Sequence, residues 1–115
     1  MNSHEFIDII KEVVVDDSIK SVQNTLLNPS GKSPAESLVA LSRWYNNLND
    51  SDKGMVLSVI REAVDTSVFG FLCVIDGVRA IENGNDKGRL SLYYENKQGK
   101  ILLNDFDEEF LHDML

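Results

Sequence analysis

The chain has 115 residues, 43% hydrophobic and 26% charged, with 7 Gly and 2 Pro, which excludes a fibrous or disordered polymer and suits one compact domain spanning residues 1–115. Nineteen Asp and Glu against 11 Lys and Arg give a net charge of -8, a field that repels phosphate backbones and anionic lipid surfaces, so no direct nucleic acid partner and no membrane partner is expected.

In chain order, the opening MNSHEFIDIIKEVV lacks the basic start and small-residue cleavage site of a secretory leader. Ser3 can cap a first helix in which Phe6, Ile9, Ile10, Val13 and Val14 fall on one side. Ile19, Val22 and Leu26 continue that spacing, as one long helix or as two short ones broken near Asp16 and Asp17. Asn28 to Pro34 (NPSGKSP) is a loop. Ser33, Pro34 and Glu36 fit a reciprocal capping box, which predicts a helix over 34–48 with Leu38, Leu41, Tyr45 and Leu48 as its apolar stripe and Trp44 beside it. Asn49, Asp50 or Ser51 then caps another helix, with Met55, Val59, Ile60, Ala63 and Val64 on one face.

Past Asp65 the polar face disappears. The run VFGFLCVI, Val68 to Ile75, reads as a helix buried on all sides that leaves through Asp76 and Gly77; a buried strand is the competing reading. Its eight apolar residues fall far short of the roughly 20 that a membrane-spanning helix needs. Cys73 lies inside this run and has no second cysteine to pair with, which makes it a buried structural thiol and points to a reducing, cytoplasmic setting.

The last third changes period. GRLSLYYE and GKILLND alternate as two strands of a hairpin with Gly99 in its turn, and Val78 to Glu82 is a candidate third strand. Asp105 would cap a closing helix with Glu108 three residues on, turning Phe106, Phe110, Leu111 and Met114 inward. The predicted fold is therefore α+β: an N-terminal helical layer, a small antiparallel sheet of two or three strands, and a short C-terminal helix. Its predicted core comprises Val68, Phe69, Leu72, Ile75, Leu90, Leu92, Ile101, Leu103 and Phe110.

Catalytic signatures are missing: no phosphate-binding Gly loop, no nucleophile elbow, no zinc-protease helix and no paired cysteines. A thiol among apolar neighbours is a poor nucleophile, so Cys73 is not expected to carry chemistry. Glu108 and His112 are four apart and would share a helical face, with Asp113 beside them as a third metal ligand. No second ligand cluster closes a coordination shell, and neither metal nor cofactor is expected.

Five of the acids, Asp105, Asp107, Glu108, Glu109 and Asp113, fall in the last eleven residues, where no Lys or Arg occurs. On a helix, the first four would complement the positive end of its dipole, and a solvated face is the plainer account of them. The same acids form a local negative field suited to steering a basic protein, with Tyr93 as an aromatic anchor on the outward face of its strand.

The segment FGFLCVIDGVRAIENGNDKGRLSLYYENKQGKILLNDFDEEFLHDML, Phe69 to Leu115, resembles the C-terminal part of small bacterial immunity proteins, the antidotes encoded beside polymorphic and contact-dependent growth inhibition toxins. The shared pattern is an apolar helix running into IDG, two strands, and a short helix ending LHD. The resemblance implies a cytoplasmic, non-catalytic inhibitor of a cognate toxin, for instance a nuclease, and carries over no binding residue. A small metal-dependent hydrolase using Glu108, His112 and Asp113, or a regulatory adaptor, is the alternative.

Overall fold

A computed structural model describes residues Met1 to Leu115. The elements in chain order are α1 (Ser3–Ile10), a π-helical segment (Lys11–Asp16), α2 (Asp17–Leu27), α3 (Glu36–Asn46), α4 (Asp50–Ile75), β1 (Tyr93–Asn96), β2 (Gly99–Leu102) and α5 (Leu111–Met114). This is the predicted α+β order, with two strands. No helix is long and apolar enough to cross a membrane. The chain divides into two compact units, Val13–Asp65 and the combination of Met1–Glu12 with Thr66–Leu115.

In the unit Val13–Asp65, α2 packs on α3, and Val15, Ile19, Leu26, Ser42 and Tyr45 are buried. Ile19 and Leu26 are buried as predicted, but Val13, Val14 and Val22 are exposed and Val15 is buried in their place. Lys11 and Asp16 both keep helical dihedrals, so the chain makes one helical path in which a π turn replaces a break. A π turn rotates less per residue than an α turn and so resets which side chains face inward.

The helix α3 also starts later than expected. Ala35 is extended (φ -55°, ψ 139°) and no side chain caps the helix, so the bonds that Ser33 would close never form. Its buried residues are Ser42 and Tyr45, while Leu38, Leu41 and Trp44 are exposed. Asn49 is the residue that opens α4, its Oδ1 accepting from the Asp52 N–H at 2.8 Å. Met55 and Val59, predicted to face inward, are exposed.

In the other unit, Asn2 and not Ser3 caps α1. The Asn2 side chain accepts the Glu5 N–H at 2.8 Å while the Glu5 carboxylate accepts the Asn2 N–H at 3.3 Å, a full capping box. Ser3 instead donates its hydroxyl to the Leu103 carbonyl at 2.7 Å. The core joins Ile7, Leu72 and Leu111, with Phe6, Val68, Ile75, Leu92, Met114 and Leu115 packed around them. Leu103 is buried as predicted, but Phe69, Leu90 and Ile101 are exposed, and Phe71 is 64% exposed, so the apolar run of α4 is not buried all round.

The end of α4 is well defined. Gly77 has φ 77°, the Val78 N–H donates to the Cys73 carbonyl at 3.0 Å and the Gly77 N–H to Val74 at 3.1 Å, which together make a Schellman closure. The Arg79 N–H also goes to Cys73 at 3.1 Å. These bonds explain why Val78–Glu82 is no third strand: two of its first donors are already used to finish a helix. The hairpin pairs Tyr93 with Leu102 and Glu95 with Lys100, and Gly99 takes the expected positive φ, 134°, as the first residue of β2 directly after the Lys97–Gln98 turn.

Candidate functional site

Four of the five acids near the end of the chain, Asp105, Asp107, Glu108 and Glu109, lie on a turn and not on a helix. Asp105 Oδ1 accepts the Asp107 N–H at 3.0 Å and the Asp105 carbonyl accepts the Glu108 N–H at 3.1 Å. An aspartate that bonds its own backbone two residues on offers the chain an alternative to helix, and here that alternative wins. Phe110 is extended (φ -69°, ψ 144°) and α5 is a single turn beginning at Leu111. Two expectations fall with the helix. Helix-dipole complementation does not account for Asp105, Asp107, Glu108 and Glu109, and the helical spacing that would align Glu108 with His112 as metal ligands is not formed.

Both ends of the turn are clamped. On one side Asn104 is 2% exposed; its amide donates to the Ile75 carbonyl at 2.8 Å and the Leu90 carbonyl at 2.9 Å, and its Oδ1 accepts the Leu92 N–H at 2.8 Å. One side chain thereby ties the end of α4, the approach to β1 and the start of the acidic turn. On the other side Leu111 is fully buried. Beside it, Asp76 Oδ2 accepts the His112 N–H at 2.9 Å and lies 2.7 Å from His112 Nδ1. Because a carboxylate only accepts, the ring must donate from Nδ1.

An aspartate behind an imidazole is also how catalytic bases are oriented. Here the ring is packed edge-on to Phe69 and stacked on Phe110, both at 5.4 Å between centroids. His112 Nε2 lies 3.4 Å from Asp113 Oδ1, and Cys73 is only 6% exposed. The pair acts as a bolt between the end of α4 and α5. Asp76 Oδ1 is enclosed without a donor, which marks the bolt as dependent on its single shared oxygen.

Between the clamps Asp107, Glu108 and Glu109 are exposed and Asp105 is half-buried; Asp113, on α5, is exposed. None of the five forms a salt bridge with Lys or Arg. Glu109 meets His4 at 3.1 Å, both side chains half or more exposed, a contact worth little in water. Tyr93 sits on β1, 49% exposed, with the Lys100 ammonium 4.3 Å from its ring centroid; one ring face is thus already taken by a cation.

The clamping residues Asn104, Asp76 and His112 were not readable as such. Asp76 reads as an ordinary turn former before Gly77, and nothing in the sequence joins it to a histidine 36 positions on. The one local signal is a run of polar residues between apolar ones, LLND and VIDG, at places where an exposed loop would tolerate any polar residue. Compared with protein-family models, with curated proteins and with solved structures, the chain has no match.

Proposed function

We propose that this chain is a non-catalytic inhibitor that binds a basic protein through the Asp105–Glu109 turn and Asp113, and that its partner is a toxin domain neutralised in the cytoplasm. The observation that carries this reading is the acidic turn itself: four carboxylates unpaired with Lys or Arg, on a segment fixed at one end by Asn104 and at the other by Leu111 and His112, with Asp113 just beyond it on α5. A negative surface steers a basic partner toward it and supplies charge-assisted hydrogen bonds once there. Holding the turn in place before binding lowers the ordering cost that association would otherwise carry.

A toxin that cleaves nucleic acid has a basic cleft, for which such a surface is the complement. The resemblance of Phe69–Leu115 to immunity proteins supports the same class. The test is to immobilise the intact chain, expose it to lysate of its own organism, and wash at low and then high salt. A stoichiometric basic partner that salt releases, and whose activity the added chain abolishes, is the expected result. A captured enzyme whose activity is unaffected would overturn inhibition.

A further inference from the structure

Eleven Lys and Arg are spread along a chain carrying 19 acids, yet three of them, Arg79, Lys87 and Arg89, line a single cleft of about 360 Å³ beside the end of α4. None of the three forms a salt bridge. Arg61 is the one Lys or Arg paired with a carboxylate, so what sets these three apart is that they converge on one hollow, where their fields add. The volume falls within the ordinary range for small-ligand sites.

The cleft is built from packed parts. The Phe106 ring rests on Gly77, with Cζ 3.3 Å from where a Cβ would sit, and the Arg89 guanidinium carbon lies 3.8 Å from the Phe106 centroid. The contact holds the Arg89 guanidinium against the ring, and a guanidinium so placed can offer its N–H groups to an oxyanion. The Arg79 guanidinium packs over the buried Gly70, where a Cβ would collide with it. Glu82, the carboxylate in the lining, uses Oε2 to accept the Gly88 N–H at 2.7 Å, which closes the loop that carries Lys87. Ile81 and Leu90 add apolar wall.

We infer that this cleft binds a small organic oxyanion, its carboxylate or phosphate held by Arg89 and Lys87 with Arg79 adding charge, and its apolar body against Ile81, Leu90 and Phe106. A polyanion is disfavoured as the occupant because the net charge of -8 repels it at long range, whereas a small anion meets mainly the local cations. The site needs no protein partner, and its argument does not rest on the function proposed for the acidic turn, although Phe106 belongs to both.

The experiment is a titration of the full chain, followed by ¹H–¹⁵N correlation spectra that include the arginine Nε–H signals. Phenyl phosphate, benzoate, inorganic phosphate and uncharged benzyl alcohol are added separately at low salt. Saturable shifts confined to residues 74–90 and Phe106 with phenyl phosphate or benzoate are expected, and the stronger of the two distinguishes phosphate from carboxylate as the group recognised. The K87Q/R89Q double variant should bind at least about tenfold more weakly, since two charge-assisted contacts are lost. Lys87→Gln alone, at an exposed position, keeps the test valid if the double variant unfolds. Absence of saturable shifts with both aromatic anions, equal affinity in the Lys87 variant, or the same shifts with benzyl alcohol would overturn the assignment.

Discussion

Two asparagines, one in each compact unit, do the same chemical work under opposite conditions. Asn46 is exposed, and its amide donates to the Leu26 and Leu27 carbonyls at 3.2 and 3.1 Å, finishing α2. Asn104 is buried, and its amide donates to the Ile75 carbonyl at 2.8 Å, finishing α4, while its other bonds reach the strand segment. Water can replace Asn46 at little cost. It cannot reach the groups that Asn104 satisfies, and a buried polar group left unmade costs far more than a made bond gains. The unit that carries the acidic turn thus rests on a few buried polar links around a small apolar core, and the other unit rests on an amphipathic helix pair.

Substitutions should separate the two regimes. Asn104→Ala leaves three backbone groups unpaired and is expected to lower unfolding free energy by about 3 kcal/mol or more, read by urea denaturation; a loss no larger than that at Asn46 would break the comparison. Asp76→Ala removes the acceptor shared by the His112 backbone and ring and should cost about 2 kcal/mol, with fast amide exchange at His112 as its local sign. Gly77→Ala meets both a left-handed φ and the Phe106 ring, for about 1–2 kcal/mol in the same assay. Asn46→Ala should cost about 0.5–1 kcal/mol. Reversing Asp107, Glu108 and Glu109 to Lys should move stability by no more than about 0.5 kcal/mol while slowing partner association about tenfold at low salt.

What could be read from sequence follows from how local each signal is. The helix over 68–75 with its exit at Gly77, and the hairpin turned at Gly99, depend on neighbouring residues and a backbone conformation that favours glycine, and both appear as expected. The exchange of Val13 and Val14 for Val15 on the buried face was hidden because a π turn leaves no mark in composition. Ser3 and Ser33 are sound capping residues that lose to Asn2 and to an extended Ala35 by differences of one or two residues, smaller than sequence rules resolve. The acidic helix failed for a sharper reason. Asp105 and Glu108 satisfy the capping pattern equally well as the start of a helix and as a tight turn, and the choice is made by Asn104, Asp76 and His112, which hold the flanks from afar. The local excess of carboxylates is visible in the sequence itself, and the structure leaves Asp107, Glu108, Glu109 and Asp113 exposed and Asp105 half-buried.

The most direct test of the acidic turn as a docking surface uses two immobilised chains side by side, wild type and the Asp107→Lys, Glu108→Lys, Glu109→Lys variant, each first checked for the native spectrum and then challenged with the same lysate at low salt. The account predicts one basic protein held in stoichiometric amount by the wild type and lost from the variant. Equal retention of that protein by both, or its absence from both, would contradict it.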